Sequence, residues 1–253
     1  MNDEDFLHKV LRNSNPTQSQ IDSMLRLRDR IRRCVNENIG GHPSMYMAGS
    51  FKKNTWIKEY HDLDMFLIWK SDFGDIKDIF YQTKDALNIE WNKVYKKKVA
   101  WRLPYSKTFH VDVVPSVQDD KNLDYSYLYN SEMDQYLRTS LNHHISEIEK
   151  YNRREVIRLL KLWKFRKSVP ISTFLLEIMV HLACWNVTRS SLSLQLETCL
   201  EYIAHNICDQ EYYDPANKQN IVSDNLTFKE KKEIEQKAYQ ALNRTYWGEI
   251  FRK

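Results

Sequence analysis

The stretch AGSFKKNTWIKEYHDLDMFLIW, Ala48 to Trp69, decides the fold. It places Gly49-Ser50 ahead of Asp62 and Asp64, which alternate with Leu63 and run straight into an apolar segment. In a strand, residues two apart share a face, so Asp62 and Asp64 project together while Leu63 and Met65 face the other way. Two like charges at that spacing repel and call for a cation. The hard cation that suits paired carboxylate oxygens is Mg²⁺ or Mn²⁺, usually completed by phosphate oxygens. A third carboxylate, Asp112, sits in the β-branched run FHVDVVPSV and is equally costly to bury unpaired. Three acidic residues on neighbouring strands can hold two ions, one to activate an attacking hydroxyl and one to steady a leaving pyrophosphate. Gly49 would let the backbone approach closely while the Ser50 hydroxyl and nearby amides hold a phosphate. Taken singly, each feature is also explained by a solvated turn; their order along the chain carries the reading.

Outward from this stretch, 253 residues with 42% hydrophobic content can bury one large or two modest cores. The net charge of +4 is too small to define a partner, so any preference for phosphates must come from local clusters. Cys34, Cys184, Cys199 and Cys208 form no Cys-x-x-Cys pair and no secretory start is visible, which fits reduced thiols in a cytoplasm. The apolar segment STFLLEIMVHLACW is interrupted by Glu177 and His181 and falls short of a membrane span. Apolar residues at helical spacing predict a helix from Thr17 to Asn38, stopped by Gly40-Gly41. Strand-like runs follow in SMYMAGS, DLDMFLIW, IEWNKVYKKKVAWRL and FHVDVVPSV, with a helical pattern around Ile76 to Leu87. After about Glu132 the pattern is almost wholly helical, with a polar loop from Tyr212 to Asn225. The expectation is an α+β chain of two lobes: an N-terminal helix with a small mixed β-sheet over residues 1–131, and an α-helical lobe over 132–253.

The ordered set Gly49-Ser50, Asp62-x-Asp64 and Asp112 resembles the polymerase-β-like nucleotidyltransferase superfamily. Within it, the helical half resembles the branch of archaeal-type CCA-adding enzymes, oligoadenylate synthases and bacterial cGAS/DncV-like nucleotidyltransferases (CD-NTases). VIRLLKLWK is similar to that branch's basic helix, SVPISTFLLEIMV to its Ser-aromatic-Leu-Glu helix, and DPANKQNIVSDNL to its Asp-Pro, later Asn-Val loop. The closing AYQALNRTYWGEIFRK is similar to the terminal helix of the bacterial enzymes. The chain departs from the branch at Asn217 to Asn220, where a second Pro is common. The resemblance implies a two-lobed nucleotidyltransferase fold whose catalytic and metal-binding residues are Asp62, Asp64 and Asp112, with two Mg²⁺ or Mn²⁺ ions. It adds Gly49, Ser50 and Lys161 to the nucleotide site, together with Ser172 or Thr173 at the start of the next helix.

The basic helix also reads from its spacing. Val156, Leu159, Leu160 and Trp163 form an apolar stripe, with Arg154, Arg158 and Lys161 on a neighbouring face that is either solvated or phosphate-binding. His110 shares the face of Asp112 and is set aside as hydrogen-bonded scaffolding. Lys96-Lys97-Lys98 beside Trp91, Tyr95 and Trp101 offers a nucleic-acid track, or else lysines that guard a sheet edge. The resemblance implies transfer of nucleotidyl groups from nucleoside triphosphates to make a cyclic or linear oligonucleotide signal in bacterial anti-phage defence. The alternatives are template-independent addition to an RNA, DNA or protein hydroxyl, and a non-catalytic nucleotide-binding partner. The partners expected are nucleoside triphosphates, with a nucleic-acid acceptor or a protein effector as further possibilities and no membrane.

Overall fold

Leu63, Met65, Leu67 and Trp69 are fully buried while Asp62, Asp64, Phe66 and Ile68 are only partly so, the two-residue alternation of a strand with one dry face. The structure, a computed structural model, describes residues 2–59, 61–106 and 109–252, and the side chains of all of these but residues 61, 144 and 147–149. In chain order the elements are α1 (Asp3–Asn13), α2 (Gln18–Asn38), β1 (Ser44–Met47), α3 (Gly49–Lys52), β2 (His61–Trp69), α4 (Ile76–Glu90), β3 (Tyr95–Lys96), β4 (Trp101–Pro104), β5 (Phe109–Gln118), β6 (Ser126–Asn130) and β7 (Gln135–Thr139). They continue with α5 (Leu141–Tyr151), α6 (Arg154–Arg166), α7 (Thr173–Ala183), α8 (Leu192–Asn206), β8 (Tyr213–Asp214), β9 (Asn217–Ile221), a 3₁₀ turn (Val222–Asn225), α9 (Phe228–Leu242) and α10 (Gly248–Phe251). Two compact units result, one of residues 16–145 and one of residues 1–15 with 146–253.

The first unit is a mixed sheet in the order β1-β2-β5-β4-β3, with β6 added to β5 and β7 to β6. Strands β2 and β5 are parallel, and a parallel pair needs a crossover, which the chain makes through α4. The dry face of β2 packs with Met24, Ile31 and Val35 of α2 and with Ile79, Phe80 and Leu87 of α4. Each large side chain buried there contributes about 2 kcal/mol. Thr17 and Gln20 form a capping box that starts α2, and Gly40, at φ +81°, follows its end. Pro115 lies in central strand β5, between Val113, the last residue paired to β4, and Val117, the first paired to β6. Its missing N–H leaves no ladder bond unmade on that side.

In the second unit, α6 buries Val156, Leu159, Leu160 and Trp163, the expected stripe. The neighbouring cations divide. Arg158 donates to the Leu11 carbonyl, Ser14 Oγ and Asn15 Oδ1 at 3.1, 3.0 and 2.7 Å, while Lys161 is buried. Residues 2–15, which the sequence reading placed in the sheet lobe without assigning them an element, belong instead to this unit and are bound to it by Glu4. Its carboxylate accepts from Ser191 Oγ at 2.6 Å and from the Leu192 and Ser193 amides at 2.9 Å, capping α8.

Three expectations change. Gln135–Thr139 is a strand rather than helix, because Asn130 Oδ1 accepts from the Glu132 and Met133 amides and turns the chain back onto β6. The polar loop after Tyr212 contains the β8–β9 hairpin, turned where Asp214 Oδ1 accepts from the Ala216 amide. The run IEWNKVYKKKVAWRL gives only the short β3 and β4, since α4 extends to Glu90. A division at 131/132 would fall between the paired strands β6 and β7. No helix among the described residues is long and apolar enough to cross a membrane.

Burial pushes the Glu4 carboxyl up, but the bonds from Ser191, Ser193 and Leu192 outweigh it and hold it below its usual 4.5. A carboxylate depressed in the folded state stabilises fully above its unfolded pKa and loses that contribution as pH falls through the folded one. Glu4→Ala should therefore lower stability by about 1–2 kcal/mol at pH 7. Urea denaturation of both proteins should show the gap narrowing at pH 3.

Candidate active site

The register of the parallel pair builds the site. Asp64 lies opposite Asp112 and Asp62 opposite His110, so all four side chains share one face of the sheet. Two residues further along this face, Phe66 and Val114 pack with Ala100, Leu128 and Leu137 in a small apolar cluster. The acids thus stand where the dry part of the face ends. Asp64 shows the effect: burial first, then the Asp112 and Asp62 charges, push its pKa up to about 6, against opposing pulls from Lys53 and His110. Asp62 Oδ1 is buried and accepts no hydrogen bond, although His110 Nε2 lies 3.0 Å away at ion-pair distance.

The Gly49-Ser50 turn lies against β2. The Ala48 amide donates to the Asp64 carbonyl at 2.8 Å, and α3 then makes a single helical turn. Gly49 has φ +55°, and a Cβ built there would lie 1.7 Å from Asp64 Oδ2. Its absence of a side chain gives the carboxylate its place, a stronger requirement than turn geometry alone. Ser50 is half-buried, and its carbonyl accepts from the Thr55 amide at 2.9 Å.

Asp112 differs from the other two acids. Arg102, opposite it on antiparallel β4, donates from Nε to Oδ1 at 2.7 Å and from Nη2 to Oδ2 at 2.6 Å. This is a side-on, two-bond pair. Among the described residues, no three His, Cys, Asp or Glu side chains stand as a ready metal cage. The fit to a small divalent cation rests on the donors themselves: three carboxylates on one face, one with a buried oxygen lacking a hydrogen bond and one whose ionisation is penalised.

The structure thus brings Asp62, Asp64, Asp112, Gly49 and Ser50 together in the unit of residues 16–145. Lys161, Ser172 and Thr173 belong to the other unit. There Lys161 Nζ lies 3.2 Å from Glu177 Oε1 with both side chains buried, so this cation is neither solvated nor on an open face. Ser172 caps α7, its hydroxyl accepting from the Leu175 amide at 3.1 Å, and Thr173 begins the helix. Sequence reasoning missed Arg102 and Lys53. Lys53, four residues after Gly49, was within reach of the helical-turn spacing; Arg102 depends on a register that no local pattern encodes. Strand β3, which carries Lys96, lies at the end of the sheet, where lysines guard an edge.

A sheet face with this acid set, in this fold, defines a nucleotidyltransferase. The chain belongs to the family of Second Messenger Oligonucleotide or Dinucleotide Synthetase (SMODS) domains, whose profile matches residues 1–152. No curated protein matches it. Among solved structures it is similar to CdnC of E. coli MS115-1 with ATP, at TM-score 0.76 and 18% identity, over 100% of this chain and 98% of that one. It is also similar to the CD-NTase CdnG of Bradyrhizobium diazoefficiens in complex with GTP, at TM-score 0.75 and 12% identity, over 94% and 89%. The Cid1 poly(U) polymerase, an H336N mutant bound to MgATP, matches at TM-score 0.72 and 14% identity, over 99% and 98%. At these identities the structural likenesses establish the two-lobed fold expected from the sequence.

Gly49→Ala should displace the Asp64 carboxylate. Its expected effect is loss of nucleotidyl transfer by about 100-fold or more with the far-UV circular dichroism unchanged, measured beside a Gly40→Ala control, where a Cβ meets nothing within 4 Å.

Proposed function

We propose that this protein joins nucleoside triphosphates into a cyclic or linear oligonucleotide, attacking an α-phosphate with a nucleotide hydroxyl and releasing pyrophosphate. The observation that carries the reading is the parallel register that gathers Asp62, Asp64 and Asp112 on one face. The SMODS assignment supports the product class, because the family is described by oligonucleotide or dinucleotide synthesis.

Asp62, Asp64 and Asp112 would hold Mg²⁺ or Mn²⁺, two ions, supplying Lewis acidity to the attacking hydroxyl and charge neutralisation to the departing pyrophosphate. The chain's own part is binding and orientation. Gly49 keeps the backbone close to Asp64, and Ser50 offers a hydroxyl for a phosphate oxygen. Lys161, with Ser172 or Thr173, is assigned to the triphosphate; Lys161 would then share its charge between Glu177 and phosphate. His110 needs no part in proton removal and serves to orient Asp62, which it approaches at 3.0 Å. CdnC of E. coli MS115-1 has been solved in a complex with HORMA-deltaN, which favours a protein partner for this chain as well. A role as a signal in bacterial anti-phage defence is part of the same reading.

The test is incubation with all labelled ribo- and deoxyribonucleoside triphosphates and Mg²⁺ or Mn²⁺, followed by product separation. Product is expected without any added nucleic acid. A strict requirement for an RNA or DNA primer would move the assignment to template-independent end addition.

Asp62→Ala and Asp64→Ala should each reduce product at least about 100-fold while leaving the melting temperature equal or higher, since each removes a repelling charge from the metal-free site. Wild-type activity in either folded variant refutes the site. Lys161→Ala should raise KM for the triphosphate and lower kcat together. An unchanged triphosphate titration would remove Lys161 from the site.

A further inference from the structure

The bond between Arg102 and Asp112 is at odds with a carboxylate waiting for a metal. Both oxygens face the guanidinium, at 2.7 and 2.6 Å, along the edge a chelated cation would use. Asp112 is also the central residue of a cross-strand row, with Asp64 on one side and Arg102 on the other. Three carboxylates in this row and beside it face the Arg102 guanidinium, the buried Lys53 ammonium, whose charge acts on Asp64, and the His110 imidazole, whose Nε2 lies 3.0 Å from Asp62 Oδ1 and 3.8 Å from Asp112 Oδ2. Asp62, by contrast, keeps an oxygen that accepts no hydrogen bond. The acids are therefore unequal: Asp112 is held by two hydrogen bonds from one guanidinium, while Asp62 Oδ1 accepts none.

We propose that Arg102 is a positioning residue that occupies Asp112 in the metal-free protein and yields an oxygen of it when a divalent cation is taken up. This rests on the reading of the three aspartates as metal ligands. Because the guanidinium and the cation compete for one carboxylate, the grip of Arg102 weakens divalent-ion binding in the absence of nucleotide, and cation binding weakens the grip by the same factor. Asp62 and Asp64 would hold a cation without this exchange, and Asp112 would join them only once Arg102 yields an oxygen. Arginine suits the task because its planar fork fixes the carboxylate's orientation on the strand, which a lysine ammonium would leave free to turn. The acid is thus pre-set for the cation by the group that withholds it.

The test is Mn²⁺ titration of the full-length, nucleotide-free protein by electron paramagnetic resonance, comparing wild type, Arg102→Met, Arg102→Lys and Asp112→Asn, alone and combined. Arg102→Met should bind Mn²⁺ about tenfold more tightly, and Arg102→Lys, which keeps the charge without the fork, about threefold. In the Asp112→Asn background, Arg102→Met should change Mn²⁺ affinity less than about twofold, because the competition no longer exists. In steady-state assays Arg102→Met should lower kcat while KM for the triphosphate stays within about threefold, the mark of lost orientation rather than lost substrate binding. Equal or weaker Mn²⁺ binding in folded Arg102→Met overturns the proposal, as does a gain that survives Asp112→Asn. Should Arg102→Met not fold, the Arg102→Lys series decides on the same criteria. Asp62→Ala and Asp64→Ala separate the two levels: if they abolish Mn²⁺ binding while the Arg102 variants leave it unchanged, only this inference fails. If they leave Mn²⁺ binding intact, the metal-site reading fails and this inference with it.

Discussion

Like charges do not share a sheet face without cause, and this protein holds three on two adjacent strands. The constraint that permits it is the parallel pairing of β2 with β5, which sets Asp64 against Asp112 and Asp62 against His110. Everything near the site follows from that register. The crossover through α4 exists because the strands are parallel, and the opposite face of β2 carries a continuous apolar set that anchors the pair against α2 and α4. A slip by one residue would turn Asp62 and Asp64 into the core and Leu63 and Met65 out of it. The burial of four large side chains therefore fixes where the acids stand.

The charges are then managed one at a time. Asp64 is desolvated by burial, and Gly49 yields the volume its carboxylate occupies. Asp62 lies within ion-pair distance of His110, and Asp112 is bonded twice to Arg102. Three chemically identical groups have three surroundings, which is how one residue type can perform several tasks at one site. In the helical unit the buried Lys161–Glu177 pair follows another rule: a desolvated cation is held by a desolvated anion, and removing either would leave a buried charge behind.

Much of this was legible in the sequence where the signal is local. The alternation of Asp62, Leu63, Asp64 and Met65 gave the strand and its two faces, the helical spacing after Thr17 gave α2 with its start and stop, and the stripe from Val156 to Trp163 gave the buried side of α6. What escaped depends on residues distant along the chain. Arg102 reaches Asp112 only through an antiparallel register ten residues apart. The positive face on α6 came apart because Arg158 finds the end of α1, 147 positions away, and Lys161 finds Glu177 on the next helix. Strand β7 and the β8–β9 hairpin were masked by polar stretches whose turns are set by single side chains, Asn130 and Asp214, rather than by Gly or Pro signals.

The anchoring of α1 by Glu4 has a consequence for how the chain comes off the ribosome. The helical unit is discontinuous: its first piece precedes the whole sheet unit, and the helix start that Glu4 caps lies about 190 positions later. At ordinary rates of synthesis, roughly 5–20 residues per second, α1 spends about ten seconds or more exposed before Ser191 and Ser193 emerge. Residues 16–145, contiguous and holding both members of the parallel pair, can fold within that interval. The amphipathic first helix, with Leu7, Val10 and Leu11 on the side it will bury, is meanwhile an unpaired apolar surface tethered beside a finished sheet. Birth order thus runs opposite to assembly order: α1, made before the whole sheet unit, finds its place only after that unit is complete.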